Sequence, residues 1–530
     1  MNTRQQFFLL NVGIPLLFIG VAWCFIPIAD AFQFSSDEGL ELAKVDLYTR
    51  GYKLYDQIWN DQPPLPTVLW AGWIHLFGHS ILIARLLTLS FGTLLLWAFV
   101  QSIWLTNGFV PALVGGIGLI ISPYFVTMST AVMMGIPSLS LAMLSSYCLL
   151  QSHKNHRWPW LMASGCCFTL SVQLKAFTLF LVPVLLGYLG LQALRRNRPS
   201  QDSGLSSASP LSQIRPLIAR LPWGQFLLWL VTFAIATLLM ISILPAESAD
   251  QTIAAHFNSK LRDAAGWDYG IGKLFKFFIN DPDYWFLAFF GLWSLRRRAS
   301  THAPAATAAD STASIFLDPA VAFPLLWMIT AFLVLLWHRP LHFHYYLLLS
   351  IPLTWLAAVG IHEALKRRQT KTKERWLNLR WATISGVAIF CLWFGAIGIP
   401  IKSMVLLGEG RYAAWKSTQY VEALPQLLEY KEQTRWLFTD VLMYSFYADL
   451  PVPPEIAVFS SKRLTAGNLT IAEVKEIFSR YQPEQVLLGR FAEVKTALEP
   501  QLEQNYQKLV SNDAVTQYRL KTLQPSKQQS

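Results

Sequence analysis

The sequence predicts a polytopic α-helical membrane protein that ends in a small α/β domain. Three observations predict this class. Of 530 residues, 53% are hydrophobic and only 14% charged, against about 25% charged in soluble domains, so the chain has too little charge to cover a globular surface of its size. Apolar runs recur along the first 400 residues, many long enough to cross a hydrocarbon core of about 30 Å. Beyond residue 400 the pattern changes to short apolar strands alternating with amphipathic helical spacing.

The elements follow in order, with about eleven spans expected. The first apolar run, 7–28, is too long for a signal-peptide core and lacks a small-residue cleavage site, so it reads as an uncleaved span. The segment 31–79 is amphipathic and interrupted by Pro63, Pro64 and Pro66, and reads as two helices lying along the interface. A second span covers 80–105. Runs 109–123 and 133–150 form a pair with a tight outer turn, and 158–174 and 176–194 form another with Lys175 at the turn. Spans at 223–244, 284–295, 321–337, 341–364 and 381–400 complete the membrane part, domain 1–400. The remaining part, 401–530, is predicted to be a small α/β domain, with strands at 436–440 and 484–489 and helices at 471–481 and 492–505.

The net charge of +11 is not a nucleic-acid footprint, because its placement follows the membrane. With the N-terminus in the cytoplasm, the inner loops hold Lys154, Arg157, Arg195, Arg196, Arg198, Arg296, Arg297, Arg298 and the basic run 366–380. The opposite loops are poor in Lys and Arg. That is a positive-inside pattern, and it predicts a multi-pass protein of the plasma (inner) membrane with a cytoplasmic N-terminus and a periplasmic C-terminal domain. Two inner loops, 199–210 and 299–314, are rich in Ser, Ala and Thr and carry no chemistry. The five cysteines lie inside apolar runs without ligand spacing, and no Gly-rich phosphate loop occurs, which argues against an ATP-driven machine. No cofactor and no metal site are predicted. A divalent ion at Glu38 or the histidines stays open as an alternative.

The candidate site lies on the outward-facing side. Asp37 and Glu38 follow the first span, where carboxylates are costly unless solvated or paired. They read either as caps of the next helix or as catalytic acids. Asn60 and Gln62 sit in the polar run before Pro63. Lys175 reads either as a snorkelling ammonium or as an anion site. His338, Arg339, His342, His344, Tyr345 and Tyr346 cluster between two spans, either as an interfacial belt or as donors to a phosphate. Arg85, near the outer end of its span, fits a ligand anion or a structural ion pair equally. One chemistry uses such a set. A sugar on a lipid phosphate already has a stable leaving group, so the reaction needs cations for developing charge and one carboxylate to deprotonate an acceptor hydroxyl. A lipid-linked-sugar flippase would also show many spans and outward cations, but with broken helices in two related halves, which are not evident here. A non-catalytic membrane scaffold is the other alternative.

These residues also carry a resemblance. Asp37-Glu38-Gly39, Pro63-Pro64, Leu76-Phe77-Gly78 with Ile83-Ala84-Arg85-Leu86, Gly135-Ile136-Pro137, Leu174-Lys175 and Arg339-Pro340-Leu341-His342-Phe343-His344-Tyr345 resemble, in order and spacing, the C-type (GT-C) membrane glycosyltransferases. The likeness is to the protein mannosyltransferase and aminoarabinose-transferase-like group, glycosyltransferase family 39-like. It implies the GT-C fold and an inverting transfer from a polyprenyl-phosphate-linked sugar to a lipid, glycan or protein acceptor. It implies Asp37 as general base and lipid phosphate near Lys175 and the late basic cluster. The sequence departs from the aminoarabinose transferases at Leu40 and Gln62, where they carry Arg and Lys, and from related enzymes at Ile136, where an acid often stands.

Overall fold

A computed structural model describes residues 1–196, 223–246, 248, 250–254, 267–302, 318–369 and 379–523. The inner loop 199–210, and most of 299–314 and of the basic run 366–380, lie outside the described residues. The first span is α1 (Thr3–Phe25). The loop after it leads to α2 (Ser36–Thr49) and α3 (Leu65–Phe77), and α4 (Ile81–Asn107) returns through the bundle. Next come α5 (Phe109–Ile120) and α6 (Pro123–Thr130), bent by 65° from one another. The tight turn expected there is therefore a short helix, opened at its N1 position by Pro123. Helices α7 (Gly135–Asn155), α8 (Trp158–Leu174), α9 (Val182–Arg196) and α10 (Trp223–Ile243) follow, a 3₁₀ turn at Ala176–Leu181 joining α8 to α9. The later helices are α11 (Trp267–Asn280), α12 (Pro282–His302), α13 (Pro319–Trp337) and α14 (Leu347–Gln369).

Among the described residues, five helices are long and apolar enough to cross a membrane, six if the bent pair counts as one. Shorter helices complete the bundle, and the protein is a multi-pass membrane protein. Helix α15 runs unbroken over Leu379–Val421, about 65 Å at 1.5 Å per residue. It passes straight through Pro400, where the change of composition lies, and carries the chain from the bundle into the C-terminal part. The buried Lys402 ammonium anchors it, 2.7 Å from Asp281 and 3.0 Å from Asp283.

The C-terminal part contains α16 (Leu424–Glu429), β1 (Leu437–Thr439), α17 (Met443–Ala448), α18 (Ser461–Ala466) and α19 (Ile471–Tyr481). It ends with β2 (Gln485–Leu488), α20 (Ala492–Asn505), β3 (Tyr506–Ser511) and β4 (Thr516–Leu520). The sheet order is β1-β2-β4-β3, with β1 and β2 parallel and the other pairs antiparallel. Strands β1 and β2 were legible because both are fully buried apolar runs. Strand β3 is mostly exposed, and its polar alternation hid it.

Helix α2 is covered by the rest of the protein, Glu38 through Leu47 all being buried. Leu40, Ala43 and Leu47 share one apolar core with Phe438, Val474 and Val486 of the C-terminal part. At Gly39 the backbones nearly touch. A Cβ there would sit 2.7 Å from the Met443 nitrogen, so the absent side chain sets the distance between α2 and α17.

Candidate functional site

Ser35 caps α2, its hydroxyl accepting the Asp37 N–H at 3.2 Å. This places Asp37 and Glu38 in the first turn, where the helix dipole favours negative charge. The two carboxylates then diverge. Glu38 points inward, without solvent exposure, and accepts Arg85 Nε at 3.1 Å and Nη2 at 3.0 Å. It also accepts the backbone N–H of Phe34 at 2.7 Å and of Val132 at 2.8 Å. Arg85 spends Nη1 on the carbonyls of Ile28 and Ala31, at 2.8 and 2.7 Å. Every nitrogen of its side chain is thus engaged, and Glu38 and Arg85 are removed from the expected site. Together they fasten the loop after α1, the start of α2, the segment before α7 at Val132 and α4 to one another.

Asp37 points the other way, into a cavity of about 800 Å³. Its carboxylate has no hydrogen bond or ion pair among the described residues. Lys175, His338, Arg339, His342, His344, Tyr345 and Gln62 line the same cavity. The Lys175 ammonium also has no ion-pair or hydrogen-bond partner there; its Nζ lies 5.5 Å from the Tyr345 ring. Burial pushes Lys175 below the usual lysine range, with Asp37 the largest opposing charge. Asp37 is likewise the largest charged influence on His342. Tyr345 is held by His338, whose Nε2 lies 3.0 Å from the phenol oxygen, and by Phe177 of the 3₁₀ turn, 4.8 Å from ring to ring. His344 lines the cavity, and both its ring nitrogens are buried without a hydrogen-bond partner among the described residues.

Two further expected residues fall outside. Asn60 is fully buried behind the wall, accepting Lys44 Nζ at 3.1 Å and donating to the Gln62 carbonyl at 2.8 Å. Tyr346 turns away from the cavity and donates to Asp281. Sequence reasoning missed a third wall. Glu41 lies one turn after Asp37 on the same face of α2 and pairs with the buried Lys44 at 3.0 Å. Burial raises the Glu41 carboxyl, and Lys44 opposes the rise. From the C-terminal part come Ser460, Ser461, Lys462 and Arg490, and Lys462 pairs with Asp61 at 2.7 Å. One signal was available for Arg490: it directly follows β2 and Gly489, at the carboxyl end of a parallel strand, where α/β sheets place ligands. A separate cluster of Asp46, His79 and Asp449 brings three ligand atoms within 4.8 Å of one another. Arg50 already pairs with both of its carboxylates, and none of the three lines the cavity.

Residues 61–203 match the family described as dolichyl-phosphate-mannose-protein mannosyltransferase. A search of curated proteins found no significant match. Among solved structures, the chain is similar to ArnT from Cupriavidus metallidurans in the apo state, with a TM-score of 0.57 at 14% identity, covering 95% of this chain and 97% of that one. The same protein bound to undecaprenyl phosphate gives a TM-score of 0.54 at 14% identity, covering 96% and 99%. An archaeal oligosaccharyltransferase, AglB from Archaeoglobus fulgidus, in complex with an inhibitory peptide and a dolichol-phosphate, gives 0.52 at 10% identity, covering 98% and 75%. The architecture is the GT-C fold expected from the motifs at Asp37, Arg85, Lys175 and Arg339.

Proposed function

We propose that this protein is a glycosyltransferase that moves a sugar from a polyprenyl-phosphate donor to an acceptor hydroxyl at the outer face of the membrane, by a single inverting displacement. The observation that carries the reading is a cavity lined by a carboxylate, Asp37, and an ammonium, Lys175, neither of which has a hydrogen-bond or ion-pair partner among the described residues. Keeping both charges uncompensated in a partly buried wall costs folding free energy, and a ligand that brings a phosphate and a hydroxyl supplies both missing partners. The fold and the family match at 61–203 point the same way, as do the lipid phosphates bound by ArnT and AglB.

In this reading Lys175 takes the donor phosphate, with Arg339 and the imidazoles of His338, His342 and His344 around it as hydrogen-bonding groups. Asp37 accepts the proton of the acceptor hydroxyl as its oxygen bonds to the anomeric carbon. The anomeric C–O bond breaks with its electron pair leaving on the lipid phosphate, whose growing charge meets Lys175. No general acid is needed, because the phosphate departs as a stable anion. Gln62 and Tyr345 border the sugar.

The test is complementation of a deletion strain. Lipid and glycan analysis should reveal an accumulated lipid-linked sugar and an acceptor lacking one residue, both reversed by the wild-type chain. Asp37→Asn should fold and insert, yet lower transfer by about 10²- to 10⁴-fold, the usual contribution of a positioned base. Full-rate transfer by Asp37→Asn overturns the role of Asp37, and an unchanged lipid and glycan profile in the deletion strain overturns the function.

A further inference from the structure

The positive groups of the cavity come from two separate parts of the fold. Lys175 stands at the end of α8, in the membrane bundle, whereas Arg490 is delivered by the C-terminal part at the residue after Gly489. The backbone under Arg490 is fixed from below: the Asp440 carboxylate accepts the N–H groups of Gly489, Arg490 and Phe491 at 2.8, 2.9 and 2.8 Å. The guanidinium is held by Nη1, which donates to the Phe459 carbonyl at 3.2 Å, and by the Phe491 ring, 4.9 Å from its carbon. Its Nε and Nη2 have no hydrogen-bond partner among the described residues, and no carboxylate there pairs with it.

The remaining charges of this wall are already matched. Glu41 is paired with Lys44 and Asp61 with Lys462. Asp37 is the largest opposing charge acting on both Lys175 and Arg490. The cavity around the Asp37 carboxylate thus offers two cations, one from each part of the fold.

We propose that Arg490 is a second oxyanion subsite, which receives a phosphate or carboxylate borne by the acceptor while the donor phosphate lies at Lys175. This rests on the transferase reading. In a single displacement the acceptor oxygen attacks opposite the departing phosphate, so an anion on the acceptor needs a site apart from the donor phosphate, and Arg490 offers one from the C-terminal part while Lys175 offers one from the bundle. A guanidinium with two free donors suits a bidentate oxyanion. Arg490 touches none of the reacting atoms. It is a positioning residue that orients the acceptor hydroxyl toward Asp37.

The experiment is equilibrium binding of radiolabelled inorganic phosphate to the purified full-length protein in detergent. Two sites per chain are expected in the wild type, with Arg490→Gln removing one, Lys175→Gln removing the other, and the double variant removing both. The Arg490 site should weaken about tenfold or more, as for loss of a hydrogen-bonded ion, and Arg490→Lys should restore part of it at an unchanged melting temperature. Glucuronate should displace phosphate from one site of the wild type and from none in Arg490→Gln if the subsite also takes carboxylates; a subsite restricted to phosphates leaves this displacement absent while the Arg490 loss stands. Two intact sites in Arg490→Gln, or a single wild-type site abolished by Lys175→Gln, overturns the proposal. Two intact sites in Lys175→Gln overturns the donor-phosphate assignment of the transferase reading instead, leaving the Arg490 result to be judged separately.

Discussion

Replacing Glu38 by Gln separates structure from chemistry in the adjacent acidic pair. The substitution keeps the shape and removes the charge, so the Arg85 guanidinium remains fully buried without its counterion. Breaking a buried ion pair from one side costs about 3–5 kcal/mol. The amide also presents N–H donors where carboxylate oxygens had accepted Phe34 N and Val132 N. Replacing both partners by apolar residues should not restore stability here, although it often does elsewhere. The Ile28 carbonyl and the amides of Phe34 and Val132 would lose their partners, at about 1–3 kcal/mol for each buried group left unsatisfied, and the Ala31 carbonyl would keep only the Tyr447 hydroxyl. The assay is thermal unfolding in mild detergent, followed by size exclusion of the soluble fraction. Glu38→Gln should melt well below the wild type, and Asp37→Asn within a degree or two of it. A Glu38→Gln protein of wild-type stability that has lost sugar transfer would refute the structural role and return Glu38 to the reaction.

Three further outcomes follow from the same geometry. Lys175→Met should raise the melting temperature of the ligand-free protein and weaken its retention of undecaprenyl phosphate by about tenfold or more. The sign follows from the lowered pKa: burial penalises the ammonium in the folded state. The penalty is full below that lowered value and is relieved as pH rises through it, where phosphate affinity is lost as well; Lys175→Met melting no higher than the wild type at pH 7 would contradict this. Gly39→Ala should destabilise by about 1–3 kcal/mol through overpacking, since its Cβ would press on the Met443 backbone. Limited proteolysis should then release the C-terminal part sooner. His79 is raised above its usual range by its hydrogen bond to Asp46, so its contribution is full below pH 6.5 and fades as pH rises through the raised value. The pair is partly exposed, with His79 at 37%, so the melting difference between wild type and His79→Gln should correspond to less than about 1 kcal/mol at pH 6 and shrink by pH 8.

The membrane class was legible because hydropathy is a local property of the chain, and so were the helices at 158–174 and 471–481. Lys175 and the His338–Tyr345 run were legible for the same reason: ionisable groups beside apolar spans stand out against their background. What the sequence left open was direction. Asp37 and Glu38 are neighbours with the same chemistry, and a helix turn of about 100° per residue sends one into the cavity and the other onto Arg85. Tyr345 and Tyr346 divide likewise on their 3₁₀ turn, and Asn60 and Gln62 divide within a loop. Sequence spacing names the candidates in each pair; only packing chooses between them.

The C-terminal part shows the other limit, because its contribution depends on contacts across some 450 residues of chain. Helix α2 looked amphipathic and interfacial on its own, yet its apolar face belongs to the core that contains Phe438, Val474 and Val486. The consequence for function is direct. The helix that aims Asp37 is packed between the membrane bundle, through Glu38 and Arg85, and the α/β part, through Gly39 and Leu40. A shift of either body therefore moves the carboxylate relative to Lys175, and the Asp61–Lys462 pair and Arg490 move with the α/β part. A soluble domain placed only to cover the site would leave the aim of Asp37 unchanged when it moved, whereas this one shares the core of the helix that carries it.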